Sequence, residues 1–136
     1  MTSSAGPNIA IVVLDTLRKD AFDEYFDWLP GTRYEQAWST SNWTVPAHAS
    51  LFTGEYPSTV ETHAKRKVLD HDAPTLAESL QAEEYRTRGI SANVHVSSAF
   101  DFDRGFDEFY ELGWRACRRV LIAQQSDLRC HLLVRG

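Results

Sequence analysis

The stretch that most limits how this chain can fold is Pro7–Asp20, in which six apolar residues, Ile9–Leu14, end in the carboxylate of Asp15. A short continuous apolar run rich in Ile and Val predicts a buried central strand of an α/β sheet. Asp15 then falls at the C-terminal end of that strand, where open α/β sheets hold their ligands. A carboxylate there suits a cation. It equally suits a cap for the helix that follows.

A second stretch, Ser41–Gly54, reads as a polar turn leading into a short helix over Pro46–Thr53. Thr44 is a good N-cap, Pro46 sits in the first turn where its missing N–H is harmless, and Gly54 suits the C′ position. A hydroxyl at a helix N-terminus faces unpaired N–H groups and the positive end of the dipole. A nucleophile directed at a phosphate or sulfate ester sits well there, because the alkoxide and the anionic substrate are both favoured. The simpler reading is that Thr44 only caps the helix.

Taken together these stretches resemble the sulfatase branch of the alkaline phosphatase superfamily. The pieces that carry the resemblance are Pro7-Asn8-Ile9, Asp15, Thr44-x-Pro46-x-His48, Leu51-Phe52-Thr53-Gly54-Glu55-Tyr56-Pro57, Thr75-Leu76-Ala77-Glu78 and Phe102–Phe109. Their order covers residues 7–112. The resemblance implies an α/β fold, the N-terminal part of an alkaline-phosphatase-like α/β/α sandwich with a mostly parallel sheet. It also implies metal-dependent chemistry at a small sulfate or phosphate ester, with a divalent cation (calcium, zinc, magnesium or manganese) as cofactor. Thr44 maps onto the nucleophile and Asp15 onto the first metal carboxylate, with Thr44 a second metal contact.

The chain departs from the family pattern in three places. True sulfatases carry Cys or Ser at the nucleophile position, oxidised to formylglycine, and Thr44 is no known precursor. Thr-nucleophile phosphotransferases and phosphodiesterases are therefore the alternative class. Thr16 stands where many members have a second Asp, and His48 replaces the motif's Arg. His48 then orients the nucleophile or binds ester oxygens, or is merely packed on the helix. His63, Lys65 and Asn93 lie where the family places contacts to the substrate anion, while Asp103 and Asp107 read as structural. Nothing after Asn93 matches the family's later Asp-His/Asn metal pair, which keeps a non-catalytic remnant as a further reading.

Residues 1–113 hold nine basic and 18 acidic residues, whereas 114–136 hold five arginines and one acid. The resemblance and the acidic balance break together near Gly113. The expected division is a partial sulfatase-like domain over 1–113 and an atypical basic tail over 114–136, either an amphipathic helix or the product of a shifted frame or truncated gene. The overall charge of −5 argues against nucleic acid and anionic membrane as partners. No apolar run approaches the roughly 18–20 residues that span a bilayer, and Ile9–Leu14 is too short for a signal peptide's core. The expectation is a cytoplasmic protein. Cys117 and Cys130 suggest neither a metal site nor a disulfide framework.

Between the motifs, a short helix or turn is expected in Leu17–Trp28 and a brief strand or extended segment in Thr32–Thr40. Glu55–Ala73 is expected as a loop, and a helix follows from Thr75 with Glu78 completing a capping box. Strands are expected over Thr87–Ala92 and Phe106–Leu112, separated by a loop. A partial sheet exposes an unpaired edge, so the chain is expected to be unstable or to self-associate through it.

Overall fold

The computed structural model describes residues 6–113. The expected basic tail, 114–136, and residues 1–5 lie outside the described residues. The chain divides into two compact units, with the break between Gly31 and Thr32.

In the first unit, α1 spans Lys19–Tyr25, inside the stretch expected to hold a short helix. Phe22 and Phe26 stack one turn apart, ring centroids 5.3 Å from each other, and Lys19 pairs with Asp23 at i,i+4. The expected strand over Ile9–Leu14 is not formed: these residues have no regular structure, and Ile9, Ile11 and Val12 are exposed by 54, 40 and 44%. A central strand exists only through its ladder partners, and no strand among the described residues pairs with this one. Of the two readings of Thr32–Thr40, a brief strand or an extended segment, the strand is not formed, and the segment is exposed throughout.

The second unit holds α2 (Thr44–Thr53), α3 (Pro57–Val60), α4 (Leu76–Ala82), β1 (Arg88–Ser91) and β2 (Glu108–Glu111). The two strands pair in parallel, Arg88 opposite Glu108 through Ser91 opposite Glu111. Helices and a parallel sheet make this the expected α/β class. Pro57 explains α3 within the predicted loop, because proline's fixed φ is preorganised for a first helical position.

Helix α2 is the packing centre. Val45 and Ala49 are fully buried with Val60, Leu69, Val96 and Phe102, and Trp43, Phe52 and Phe100 close around them. Phe52 lies 5.9 Å from Phe102 and 6.0 Å from Phe106, and Phe106 lies 5.5 Å from Phe109. This aromatic row ties α2 to β2 through the contacts that ring edges and faces prefer. Gly54 ends α2 in the left-handed region at φ 74°, as its position predicts.

The Thr75–Glu78 capping box forms in full. Arg104 then fastens it to the far side of the unit. Its Nε donates to Glu78 Oε1 at 2.8 Å, and its terminal nitrogens donate to the carbonyls of His71 and Ala73. Asp107 does similar work at the start of the ladder, accepting from Thr87 N–H at 2.7 Å and from Gln81 Nε2 at 2.8 Å. Its role is structural, as expected.

These contacts predict acid sensitivity. The Arg104 guanidinium and then the Thr75 N–H hold the Glu78 carboxyl below its ordinary range. The Thr87 N–H lowers Asp107, and the Ser98 hydroxyl lowers Glu111. A lowered folded pKa contributes stability that is present above the unfolded value of about 4 and is lost as pH falls through the folded value. Thermal midpoints should therefore hold between pH 7 and 5 and fall below about pH 4. Glu78→Gln should lower the midpoint at pH 7 and flatten that acid loss.

Candidate active site

The expected nucleophile, Thr44, is the first residue of α2 rather than its cap. Trp43 occupies the cap position with an extended backbone, φ −130° and ψ 144°. No side chain caps the helix, and Ser41 shapes the turn before it, its Oγ accepting from Trp43 N–H at 3.2 Å. Trp43 C=O accepts the first helical bond, from Ala47 N–H at 3.2 Å. Thr44 is half-buried in the first turn, still at the positive end of the helix.

His48 lies one turn along the same face, 5% exposed. Its Nδ1 is 2.6 Å from the carbonyl oxygen of Thr44. A carbonyl only accepts, so Nδ1 carries the hydrogen and donates it. The ring also meets Phe52 edge-on at 6.5 Å. His48 thus grips the backbone of Thr44 and is packed into the core at the same time.

Asn93 follows β1 directly, at the C-terminal end of a parallel strand, as predicted. Its Oδ1 accepts from His95 N–H at 2.8 Å, and its own N–H donates to Ser91 Oγ at 3.2 Å. It borders a hollow of about 330 Å³ formed by Ser91, Ala92, Val94, Glu111 and Leu112. This is where ligand sites of open α/β sheets lie.

His63 and Lys65 belong to an exposed turn. His63 bridges to Arg66 through paired backbone bonds, and its Nδ1 accepts from Lys65 N–H at 3.2 Å. The turn is anchored by Arg66, which pairs with Glu61 and with Asp70. The cation brought to the start of α2 is instead Lys67, whose Nζ stands 5.8 Å from the centre of the Trp43 ring. That is the range of a cation–π contact.

On another side, the His95 ring meets Trp43 at 6.3 Å and Phe100 at 6.0 Å. Its Nδ1 is buried with no hydrogen-bond partner among the described residues. Neither Lys67 nor His95 was singled out from the sequence. His95 had a usable signal, an Asn-x-His placed just past a predicted strand end. Lys67 had none, since it sits in a charged loop beside two other cations.

Asp15 lies in the first unit, in a turn rather than at a strand end, with Thr16 after it at φ 65°. It is half-buried. Carboxylate and hydroxyl oxygens are the right donors for a hard divalent cation. Among the described residues, however, no three His, Cys, Asp or Glu side chains gather as a metal site. Tight binding needs several preorganised ligands, more than the two the sequence offers in Asp15 and Thr44. No helix of the described residues is long and apolar enough to cross a membrane.

A search of curated proteins and a search of solved structures each found no match. The family model named Sulfatase matches residues 7–116, most of the chain and every motif described above up to β2. The chain therefore belongs to the sulfatase family, hydrolases of sulfate esters that generally depend on a divalent metal.

Proposed function

We propose that this chain carries the nucleophile of a hydrolase acting on small sulfate or phosphate esters, and that Thr44 is that nucleophile. The observation that supports this reading is Thr44's position as the first residue of α2, inside the matched segment. An anionic ester placed against that turn is favoured by the helix dipole. The Lys67 ammonium beside Trp43 adds positive charge near the same turn.

Thr44 Oγ attacks sulfur or phosphorus in line, a new ester bond forms, and the alcohol leaves with the bridging oxygen and a proton. Water then cleaves the threonine ester and returns Oγ–H. His48 acts in this scheme as a positioning residue, because it holds the Thr44 carbonyl and so the backbone that aims the hydroxyl. Asn93 contacts the ester through its amide NH2, Lys65 supplies outer charge, and His63, whose Nδ1 accepts from Lys65 N–H, offers its other ring nitrogen as a donor. Metal dependence enters through the family, with Asp15 as the carboxylate donor expected to take part.

The test is turnover of an aryl sulfate and an aryl phosphate by the full chain with added calcium, magnesium, manganese or zinc. Thr44→Ala should lose activity by a factor on the order of 10³ or more, while Thr44→Ser keeps a measurable part. Absence of turnover in the folded wild-type chain with every metal would instead support a non-catalytic remnant. Threonine in place of Cys or Ser favours one second reading, a phosphotransferase. Transfer to an alcohol acceptor faster than hydrolysis would identify it.

A further inference from the structure

The Lys67 ammonium is held in place without being neutralised. Its flanks are pinned on both sides. Arg66 before it pairs with Glu61 and Asp70 and bridges back to His63, and Leu69 after it is buried, its N–H donating to Phe100 O at 2.9 Å. Between them the Lys67 side chain is half-buried, and its Nζ stands 5.8 Å from the centre of the Trp43 ring. That ring is itself fixed. Trp43 closes against the core, its N–H donates to Ser41 Oγ, and the His95 ring meets it edge-on at 6.3 Å.

The surrounding charges make this placement unusual. Residues 1–113 hold nine basic and 18 acidic residues, and Arg66, Arg86, Arg88 and Arg104 each meet a carboxylate. Lys67 meets none among the described residues, and the Trp43 ring is its partner instead. A carboxylate would cancel the ammonium's charge, whereas the face of an indole holds the ammonium and leaves its charge whole. Trp43 directly precedes Thr44, so a full positive charge is fixed beside the first turn of α2, whose own N–H groups also favour anions.

We propose that Lys67 is a specificity-determining residue of the site read above, and that it selects phosphate monoesters over sulfate esters. The inference rests on Thr44 marking that site. The two kinds of ester share a tetrahedral centre of similar size and differ in charge. A sulfate ester carries one negative charge, and a phosphate monoester carries two above its second pKa of about 6. A fixed positive charge favours the second by Coulomb attraction, and more strongly where the surroundings partly exclude water. The N–H groups of the helix start meet the same oxygens in both and separate them less. A phosphodiester, with one negative charge, falls with the sulfate ester.

The experiment is calorimetric titration of the full chain with phenyl phosphate, phenyl sulfate and methyl phenyl phosphate, at one magnesium concentration and above the phosphate's second pKa. Phenyl phosphate should bind most tightly, and high salt should shrink its advantage. Lys67→Met keeps an apolar stem on Trp43 but loses the charge, and should lower the ratio of phosphate to sulfate affinity by a factor of about 10. Lys67→Arg should restore most of that ratio. A packing role would instead move all three ligands together. Lys67→Gln gives a second neutral variant should the methionine variant fail to fold. Equal binding of the three ligands by the wild type, binding of none, or an unchanged ratio in a folded neutral variant would each overturn the proposal. Thr44→Ala separates it from the nucleophile reading, because that variant keeps Lys67. Turnover that survives Thr44→Ala with the preference intact would sink the nucleophile and leave Lys67 its role. Turnover lost in Thr44→Ala, with a ratio indifferent to Lys67, would sink only the role of Lys67.

Discussion

Gly105→Ala is expected to unfold the second unit or leave it barely stable. Gly105 has φ +84°, and a Cβ there would stand 2.5 Å from the Glu78 backbone nitrogen, 2.6 Å from Glu78 Cγ and 2.9 Å from Thr75 Oγ1. The left-handed conformation alone costs a side-chain-bearing residue roughly 1–3 kcal/mol. The clash is with backbone, which cannot turn aside, and it falls on the capping box that starts α4. Losing that cap adds about 1 kcal/mol. Thr87 Oγ1 also donates to Gly105 O at 2.8 Å, so the start of the β1–β2 ladder shifts with it. These two terms reach about 2–4 kcal/mol before the clash with backbone is added, a large share of the about 5–15 kcal/mol that keeps a small domain folded. Chemical denaturation would check this. A midpoint within error of wild type would mean that Gly105 is not held as described.

The second large effect is expected at Phe102, which is 1% exposed and the largest fully buried side chain of the core. Phe102→Ala removes the ring that meets Phe52 and leaves a cavity beneath α2. Such truncations cost about 3–5 kcal/mol, depending on how far the site collapses. Phe102→Leu keeps most of the volume and should cost well under half as much. Because α2 carries Thr44, Phe102→Ala should also loosen the first turn. Its loss of activity should exceed the fraction unfolded, whereas Gly105→Ala acts through unfolding alone.

Local chemistry predicted the elements that local chemistry controls. The Thr75–Glu78 box, the Gly54 stop and the helix in Leu17–Trp28 each depend on neighbours within one turn, and each formed where the residues called for it. The strands over Thr87–Ala92 and Phe106–Leu112 formed in their centres, and Asn93 fell at a strand end as expected. The errors have separate causes. Ile9–Leu14 was read as a strand from its residues, but a strand is made by its partner, and none of the described residues supplies one. Thr44 was read as a cap because threonine caps well. Trp43 instead holds the cap position, with its backbone extended, and Thr44 is the first helical residue.

The same division runs through the candidate site. By itself the sequence determined the family and the α/β class, because these rest on ordered motifs and on periodicity within short windows. Only the tertiary structure decided that His48 grips the Thr44 carbonyl, that Lys67 rather than Lys65 stands over Trp43, and that His95 packs against the same ring. The Lys67 and His95 contacts join residues far apart in the chain, and His48 sits one helical turn away with its ring free to turn several ways. A side chain's partner across such distances is set by how the core around Val45, Ala49 and Phe102 closes, and no local pattern encodes that closure.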